Sequence, residues 1–285
     1  MRRKPRLRFT SEQKLKARRT RAFILAFAAF VLVFGVASVF LFLHSVDFDL
    51  NNLVAPEETT AAPAETTTTP LASVQLQNAN VFYTCVDSDD RVLLLSIISS
   101  DADSESVYVY AISPAQTASY NGEALSFSAI YQKFGFAGLR DSVANALGIS
   151  VERYLKQTEA QLRQVIGEIG DIPVSVPEAI EYRGTDYTLF LDAGEQNLTG
   201  DLFVKYLRYA DVEQQAQAAC ALTQKLLSAF DLADPSPLFN SICNLSDTNF
   251  SVMDCAQSGG LLYTFLALRD AVSVGAPPTS GEAAE

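Results

Sequence analysis

The sequence predicts a layered α/β domain held behind one transmembrane helix, and three observations carry that expectation. Residues 22–43 run for 22 residues without a charge and are rich in Phe, Val, Leu and Ala, long enough at about 1.5 Å per residue to cross roughly 30 Å of hydrocarbon. Residues 91–99, RVLLLSIIS, are apolar without alternation, as in a strand buried on both faces. Helical patterns at 138–147, 158–169 and 214–230 are interleaved with strand-like runs, which is the order of a layered α/β domain.

A chain of 285 residues with 48% apolar content can bury one substantial core. Its charge is divided. Residues 1–21 hold ten of the 21 Lys and Arg and one of the 33 Asp and Glu, so that end is +9; the other 264 residues hold 11 cations and 32 anions and carry −21. So acidic a body repels nucleic-acid phosphates and excludes DNA or RNA as partner. The basic end instead flanks the apolar run. Arg18, Arg19 and Arg21 precede it and Asp47 and Asp49 follow, so the positive-inside rule puts the N-terminus in the cytoplasm and the body outside the cell membrane, as a single-pass protein. A cleaved signal peptide is the competing reading, but its apolar core usually spans about 7–15 residues, and no convincing small-x-small cleavage site follows here.

The chain divides into a basic cytoplasmic tail (1–21), the transmembrane helix (22–43), a Thr/Pro/Ala/Glu-rich extracellular stalk (44–77), a folded domain (78–270) and a disordered tail (271–285). The stalk threonines are either merely solvated or O-glycosylated. Asn197, Asn244 and Asn249 open Asn-x-Ser/Thr sequons, which matter only in a host that glycosylates secreted asparagines. Four cysteines, Cys85, Cys220, Cys243 and Cys255, show no CxxC spacing, and the only histidine, His44, borders the apolar run. A zinc site and histidine acid–base catalysis are thereby excluded. Two disulfides, with Cys243 to Cys255 the easiest closure, and buried free thiols are equally consistent with the spacing.

Within the domain, strands are expected at 81–85 and 91–99, split by the turn Asp87-Ser88-Asp89-Asp90, and at 107–112. Residues 125–136 are ambiguous. A helix over 138–147 puts Leu139, Val143, Ala146 and Leu147 on one face and stops at Gly148. A strand at 151–154 precedes a helix over 158–169, with Thr158 as N-cap and Gln161 at the capping-box position. Short strands at 171–176 and 187–191 follow, then a long amphipathic helix at 214–230 carrying Cys220 on or near its inner side. A strand-like segment at 248–255 and an apolar helix at 260–268 close the domain.

The stretch 191–211, LDAGEQNLTGDLFVKYLRYAD, stands out. Ala-Gly and Thr-Gly mark turns, and from Asp201 the chain reads as a short helix, or a helix then a strand. Phe203, Val204, Tyr206, Leu207 and Tyr209 make its apolar side, and Arg208 is left on the other. By composition alone Arg208 is a solvated or ion-paired surface arginine.

Ala193-Gly194-Glu195-Gln196-Asn197-Leu198-Thr199-Gly200 followed by Tyr206-Leu207-Arg208-Tyr209 resembles the most recognisable segment of the LytR-CpsA-Psr (LCP) family of cell-envelope proteins. Ala146-Leu147-Gly148-Ile149 with Tyr154, and Ile172-Pro173-Val174-Ser175-Val176-Pro177, are similar to further family motifs in the same order. The resemblance runs from about residue 78 to 268. It implies an α-β-α domain with a central mixed sheet, type II membrane topology, and an apolar groove for a polyprenyl pyrophosphate whose glycopolymer, teichoic acid or capsule, is transferred to peptidoglycan. That chemistry needs cations on phosphate oxygens and carboxylates for Mg²⁺.

By that resemblance Asp90 matches the metal-binding aspartate, Arg208 is the catalytic and substrate-binding arginine, and Arg91 adjoins as a substrate-binding cation. Elsewhere the family's pattern is lost. Pro114-Ala115-Gln116-Thr117 replaces a Pro-Arg-Asp-Thr, Arg208-Tyr209-Ala210 replaces an Arg-Tyr-Arg, and the segment from Asp211 through Gln215 onward lacks the family's arginines. Each lost charge-assisted contact costs roughly 1.5–3 kcal/mol of binding. The expectation is therefore an LCP-like protein that binds a polyprenyl phosphate or wall glycopolymer with weakened or absent catalysis. The alternative is an active transferase in which Arg91, Arg140, Arg153, Lys133 or Arg183 makes good the loss.

Overall fold

The computed structural model describes residues 74–256 and 259–276. The expected cytoplasmic tail and transmembrane helix, residues 44–73 of the stalk and residues 277–285 of the tail lie outside the described residues. Among the described residues no helix is long and apolar enough to cross a membrane.

The first three strands, β1 (Ala79–Val86), β2 (Val92–Asp101) and β3 (Ser106–Ala111), form an antiparallel meander. β2 is buried on both faces, with Leu94 in the core on one side and Leu95 in the core on the other, which is why its sequence does not alternate. A small hairpin, β4 (Thr117–Tyr120) and β5 (Glu123–Ser126), leads into α1 (Phe127–Leu147). Within α1, Gly135 at φ 71° breaks the helical path. Hairpin end, helix start and kink together account for the ambiguity of residues 125–136. Gly148 takes the left-handed conformation at φ 67° and donates its N–H to the last turn, as its expected capping role requires.

β6 (Arg153–Thr158) pairs parallel to β1, and the short β11 (Asp247–Thr248) pairs antiparallel to β6. At the other edge β12 (Val272–Val274) pairs parallel to β3, so ordered sheet continues past the expected domain boundary at 270. The six strands stand in the order β11-β6-β1-β2-β3-β12 and form the mixed central sheet expected from the family resemblance.

α1 covers one face through Phe127, Ile130, Leu139 and Val143 against Phe82 and Leu95. The opposite face is covered by α2 (Glu159–Ile169), α3 (Gly200–Tyr209), α4 (Val212–Ala229), α5 (Ser236–Asn244) and α6 (Leu261–Ala267). The result is an α-β-α layering. Two small antiparallel pairs sit beside it: β7 (Ile172–Val176) with β10 (Gly194–Leu198), and β8 (Ile180–Arg183) with β9 (Thr188–Leu191).

Of the two readings of residues 201–209 the short helix is the one found: α3 runs to Tyr209 and the next helix starts at Val212, so no strand follows Arg208. Two local expectations need correction. Thr199-Gly200 is a helix start rather than a turn: Thr199 is the N-cap, its hydroxyl accepting from the Leu202 N–H. The segment 248–255 holds only the end of β11 and one 3-10 turn, Val252–Cys255, fixed to Ser251, whose N–H donates to Asp254 Oδ2 at 2.8 Å and whose carbonyl accepts from the Asp254 N–H at 2.9 Å. All four cysteines are free thiols.

Candidate functional site

Ligands of α/β sheets gather beyond the carboxyl ends of parallel strands; here those are the ends of β1 and β6. β1 runs into a tight turn built on Asp87. The Asp87 Oδ1 accepts from the N–H groups of Asp89 (2.8 Å) and Arg91 (2.9 Å), and Oδ2 accepts from Arg91 Nε at 2.8 Å. Burial works against ionisation of Asp87, but the two backbone donors and the Arg91 guanidinium outweigh it and lower its pKa. Arg91 is thus held by Asp87, and by Asp89 at 3.1 Å, while its side chain stays 54% exposed.

Asp90 turns away from this pair. It adopts φ 57°, and its Oδ1 accepts from the Tyr131 hydroxyl of α1 at 3.5 Å, the one side-chain hydrogen bond it makes among the described residues. Beside it Lys156 of β6 lies 5.5 Å from the Tyr131 ring centroid and 5.9 Å from that of Phe136. No cluster of three or more His, Cys, Asp or Glu side chains could hold a metal among the described residues. Asp90 alone fits Mg²⁺ only as one carboxylate of a site completed by phosphate oxygens and water, a common arrangement for this ion.

β6 ends at Thr158, which caps α2 in the expected capping box with Gln161. The first residue of that helix, Glu159, lies where the helix dipole favours an anion and reaches toward α3. Arg208, in the last turn of α3, donates from Nη2 to Glu159 Oε2 at 2.6 Å, with side chains 19% and 14% exposed. Burial disfavours the charge on Arg208, but the bond and charge of Glu159, with Asp87 nearby, prevail and raise its pKa. Arg163, one turn along α2, approaches the same Glu159 oxygen at 3.5 Å and Asp201 at 3.6 Å, and Lys205 binds Asp201 at 2.7 Å. The close approach of the two helices depends on Gly200, where an added Cβ would lie 3.0 Å from the backbone of Arg163.

The remaining expected cations are engaged elsewhere: Lys133 with Glu123, Arg140 with Asp141, Arg153 with Asp254 and Arg183 with Glu181. The structure therefore draws Arg208 together with Glu159 and Arg163, none of it with Arg140, Arg153, Lys133 or Arg183 as partner. Arg163 and Glu159 were missed from the sequence, although their i, i+4 spacing on a capped helix was a usable signal.

On the helix-rich face of the sheet, with Leu162 and Val165 of α2 in its lining, lies an apolar cavity of about 120 Å³. Val81, Tyr83, Leu155 and Leu162 line one side and Leu222, Phe239 and Phe265 the other, with Ser96, Gln157 and Thr223 as its polar members. Among the described residues no Lys, Arg, Asp or Glu lines it. The Tyr83 hydroxyl donates to Gln157 Oε1 at 3.0 Å, and Gln157 Nε2 donates to Ser246 at 2.9 Å. Cys85 lies two residues beyond Tyr83, about 7 Å farther along the same face. Burial, reinforced by Glu159, pushes the Cys85 thiol up to about 12; it is no thiolate nucleophile at neutral pH.

The cavity is near the size that accepts one benzene ring in a protein core, about 150 Å³. Ile98, Leu155, Leu226, Cys243 and Phe250 are partly exposed members of its lining and mark the side that faces solvent.

The LytR_cpsA_psr family model matches residues 107–263, more than half of the chain. Among solved structures, TagV of B. subtilis superposes with a TM-score of 0.59 at 18% identity, over 70% of this chain and 84% of its own. A protein from Eubacterium siraeum gives 0.58 at 16% identity, over 79% and 93%. TagT bound to LI-WTA gives 0.53 at 15% identity, over 67% and 75%. At such identities these likenesses establish the fold. No curated protein matches in sequence.

Proposed function

Because the chain belongs to the LytR_cpsA_psr family, we propose that it is a membrane-anchored extracellular LCP protein of cell-envelope polymer biogenesis that binds a polyprenyl-linked glycopolymer with weakened or absent turnover. One observation carries the second half: Arg208 is neutralised by Glu159 at 2.6 Å, while Arg91, Lys133, Arg140, Arg153 and Arg183, the cations expected to make good the family's lost arginines, are tied to carboxylates of their own. A phosphate arriving at Arg208 must compete with a carboxylate already in place, and beyond Arg208 and Arg163 it gains little.

The apolar cavity supports a role for the lipid tail. Its lining is matched to hydrocarbon, and burial there yields about 25 cal/mol per Å² without any charged partner. Arg208 would contact the phosphate, with Arg91 as the exposed cation nearest by sequence to Asp90. Asp90 would supply the protein's carboxylate to Mg²⁺, which when bound neutralises phosphate charge. The anchor and topology rest on the uncharged run 22–43 and its flanking charges.

The test uses the full-length protein in detergent micelles with a polyprenyl-pyrophosphate-linked glycopolymer, peptidoglycan and Mg²⁺. Retention of the lipid without transfer of polymer is expected. Sustained transfer that is abolished by Arg208→Ala would establish the active transferase instead.

A further inference from the structure

Next to Arg208 stands a wall of tyrosines that the charge chemistry does not use. The β8–β9 hairpin buries Ile180, Leu189 and Leu191, and its register sets Tyr182 opposite Leu189 at the hairpin's outer end. Tyr187 precedes β9, and the loop between closes through the Gly184 N–H donating to the Tyr187 carbonyl at 3.0 Å. The Tyr182 and Tyr187 rings lie 4.8 Å apart at 34°, and the Tyr209 ring from the end of α3 meets Tyr182 edge-on at 5.8 Å. The Arg208 guanidinium is 6.0 Å from the Tyr187 ring centroid.

Each ring keeps an exposed part: Tyr182 and Tyr187 pack on the core yet stay partly exposed, and Tyr209 is 41% exposed. A position that served packing alone would be met by leucine or valine, as it is at Leu189 and Ile180 just below. Gly184 adds a second sign of construction. A Cβ there would fall 2.5 Å from the Tyr182 hydroxyl and 2.7 Å from its ring, so the ring can fold back over the loop because the residue is glycine.

We propose that Tyr182, Tyr187 and Tyr209 form a saccharide subsite, a stacking wall for sugar residues of the glycopolymer, with the Arg208–Glu159 pair at its edge to bond their hydroxyls. Pyranose rings present apolar C–H faces rimmed by hydroxyls, and tyrosine offers a broad, stiff, amphipathic partner for both. This inference rests on the reading of the chain as a glycopolymer-lipid binder, but it concerns the sugar and not the lipid. It makes Tyr182 and Tyr187, which belong to this hairpin, determinants of which polymer is held.

The experiment uses the full-length protein in detergent micelles and a β-1,4-linked N-acetylglucosamine tetramer, followed by saturation-transfer NMR. The chain has no tryptophan, so aromatic saturation reaches the sugar only from Tyr, Phe or His44. Transfer to the sugar C–H protons is expected, with affinity weakened about three- to tenfold by Tyr182→Leu or Tyr187→Leu. Both variants keep apolar bulk, and thermal melting verifies that they fold. Tyr108→Leu, on β3 away from the hairpin, is expected to bind as the parent does. Binding of a polyprenyl monophosphate without sugar, measured in parallel, is expected to survive both hairpin variants. Sugar transfer that is absent at about ten millimolar tetramer, or that persists unchanged in both variants, overturns the subsite. Loss of lipid binding with sugar binding intact would overturn the lipid reading and leave the subsite standing.

Discussion

Arg208 and Glu159, 49 residues apart in sequence, meet at 2.6 Å across the contact between α3 and α2. The pair closes the charge of the site on itself, since Glu159 also draws in Arg163 at 3.5 Å. Anion binding here is therefore a competition between two kinds of anion for the same guanidinium.

Glu159→Gln removes the competitor and keeps its shape. Affinity for a polyprenyl monophosphate is expected to rise about tenfold, the equivalent of about 1.4 kcal/mol, as read by lipid titration. Arg208→Ala is expected to lower it and to destabilise the fold by roughly 1–3 kcal/mol in urea unfolding, because Glu159 loses its main partner in a mostly buried setting. An unchanged affinity in Glu159→Gln would show that phosphate does not approach Arg208.

Gly200→Ala tests the helix apposition that makes the pair. Its Cβ would press on the Arg163 backbone at 3.0 Å, so α2 and α3 must separate. A loss of about 1–3 kcal/mol in stability is expected, with phosphate affinity altered in the same variant.

Acid stability follows Asp87 and Asp254. Both have pKa values lowered in the folded chain; burial opposes this in each, and the donors of Arg91 and Asp89, or of Arg153 and Ser251, overcome it. A depressed folded pKa means stability that is fully present above the unfolded value of about 3.9 and lost as pH falls through the folded one. Urea midpoints measured from pH 6 down to pH 2 are expected to drop steeply below about pH 4, and to drop less in Asp87→Asn, which starts lower.

Thiol reactivity reports on the cavity. Burial pushes Cys243 up to about 11, with Asp254 and Cys255 adding to it, and Cys85 up to about 12. At neutral pH Cys85 is expected to resist maleimide until the protein unfolds. Cys243, partly exposed and in the cavity lining, is expected to label slowly, faster as pH rises, and more slowly once polyprenyl lipid is bound. Labelling of Cys243 that ignores saturating lipid would place the chain elsewhere.

Filling the cavity separates lipid binding from folding. Ala219 lies on α4 in the lining and is 2% exposed. Ala219→Leu adds carbons to an apolar space of about 120 Å³, so the melting temperature is expected to hold or rise while polyprenyl affinity falls about tenfold.

Much of the fold was legible in the sequence because its signals are local. The Thr158–Gln161 capping box, the stop at Gly148 and the doubly buried β2 each follow from a few adjacent residues, and each is found. The misses have physical causes too. In 248–255 the residues suited to a strand have only a two-residue stretch of partner in β6, and the rest is held by Asp254 as a 3-10 turn. Helix α5 has no counterpart among the sequence expectations: it is short, Pro235 is its N-cap residue, and Pro237 lies in its first turn, where proline is tolerated because that N–H has no partner within the helix. At the site, Arg208, Asp90 and Arg91 were visible as residue types in a family-like pattern. Their surroundings were not: Asp90 turns to Tyr131, and Arg91 folds onto its own turn.

The sequence by itself determined many of the strands and helices, where several of them stop, and that the body is acidic with few cations to spend on phosphate. Those properties depend on side-chain period, caps and charge count, all of which are fixed within a few residues or by composition. Only the tertiary structure decided that Arg208 is answered by Glu159, that the apolar cavity is lined by no Lys, Arg, Asp or Glu among the described residues, and that three tyrosines gather beside Arg208. Those are contacts between segments far apart in the chain, set by how helices pack on the sheet, and local pattern carries no information about which carboxylate a guanidinium will meet.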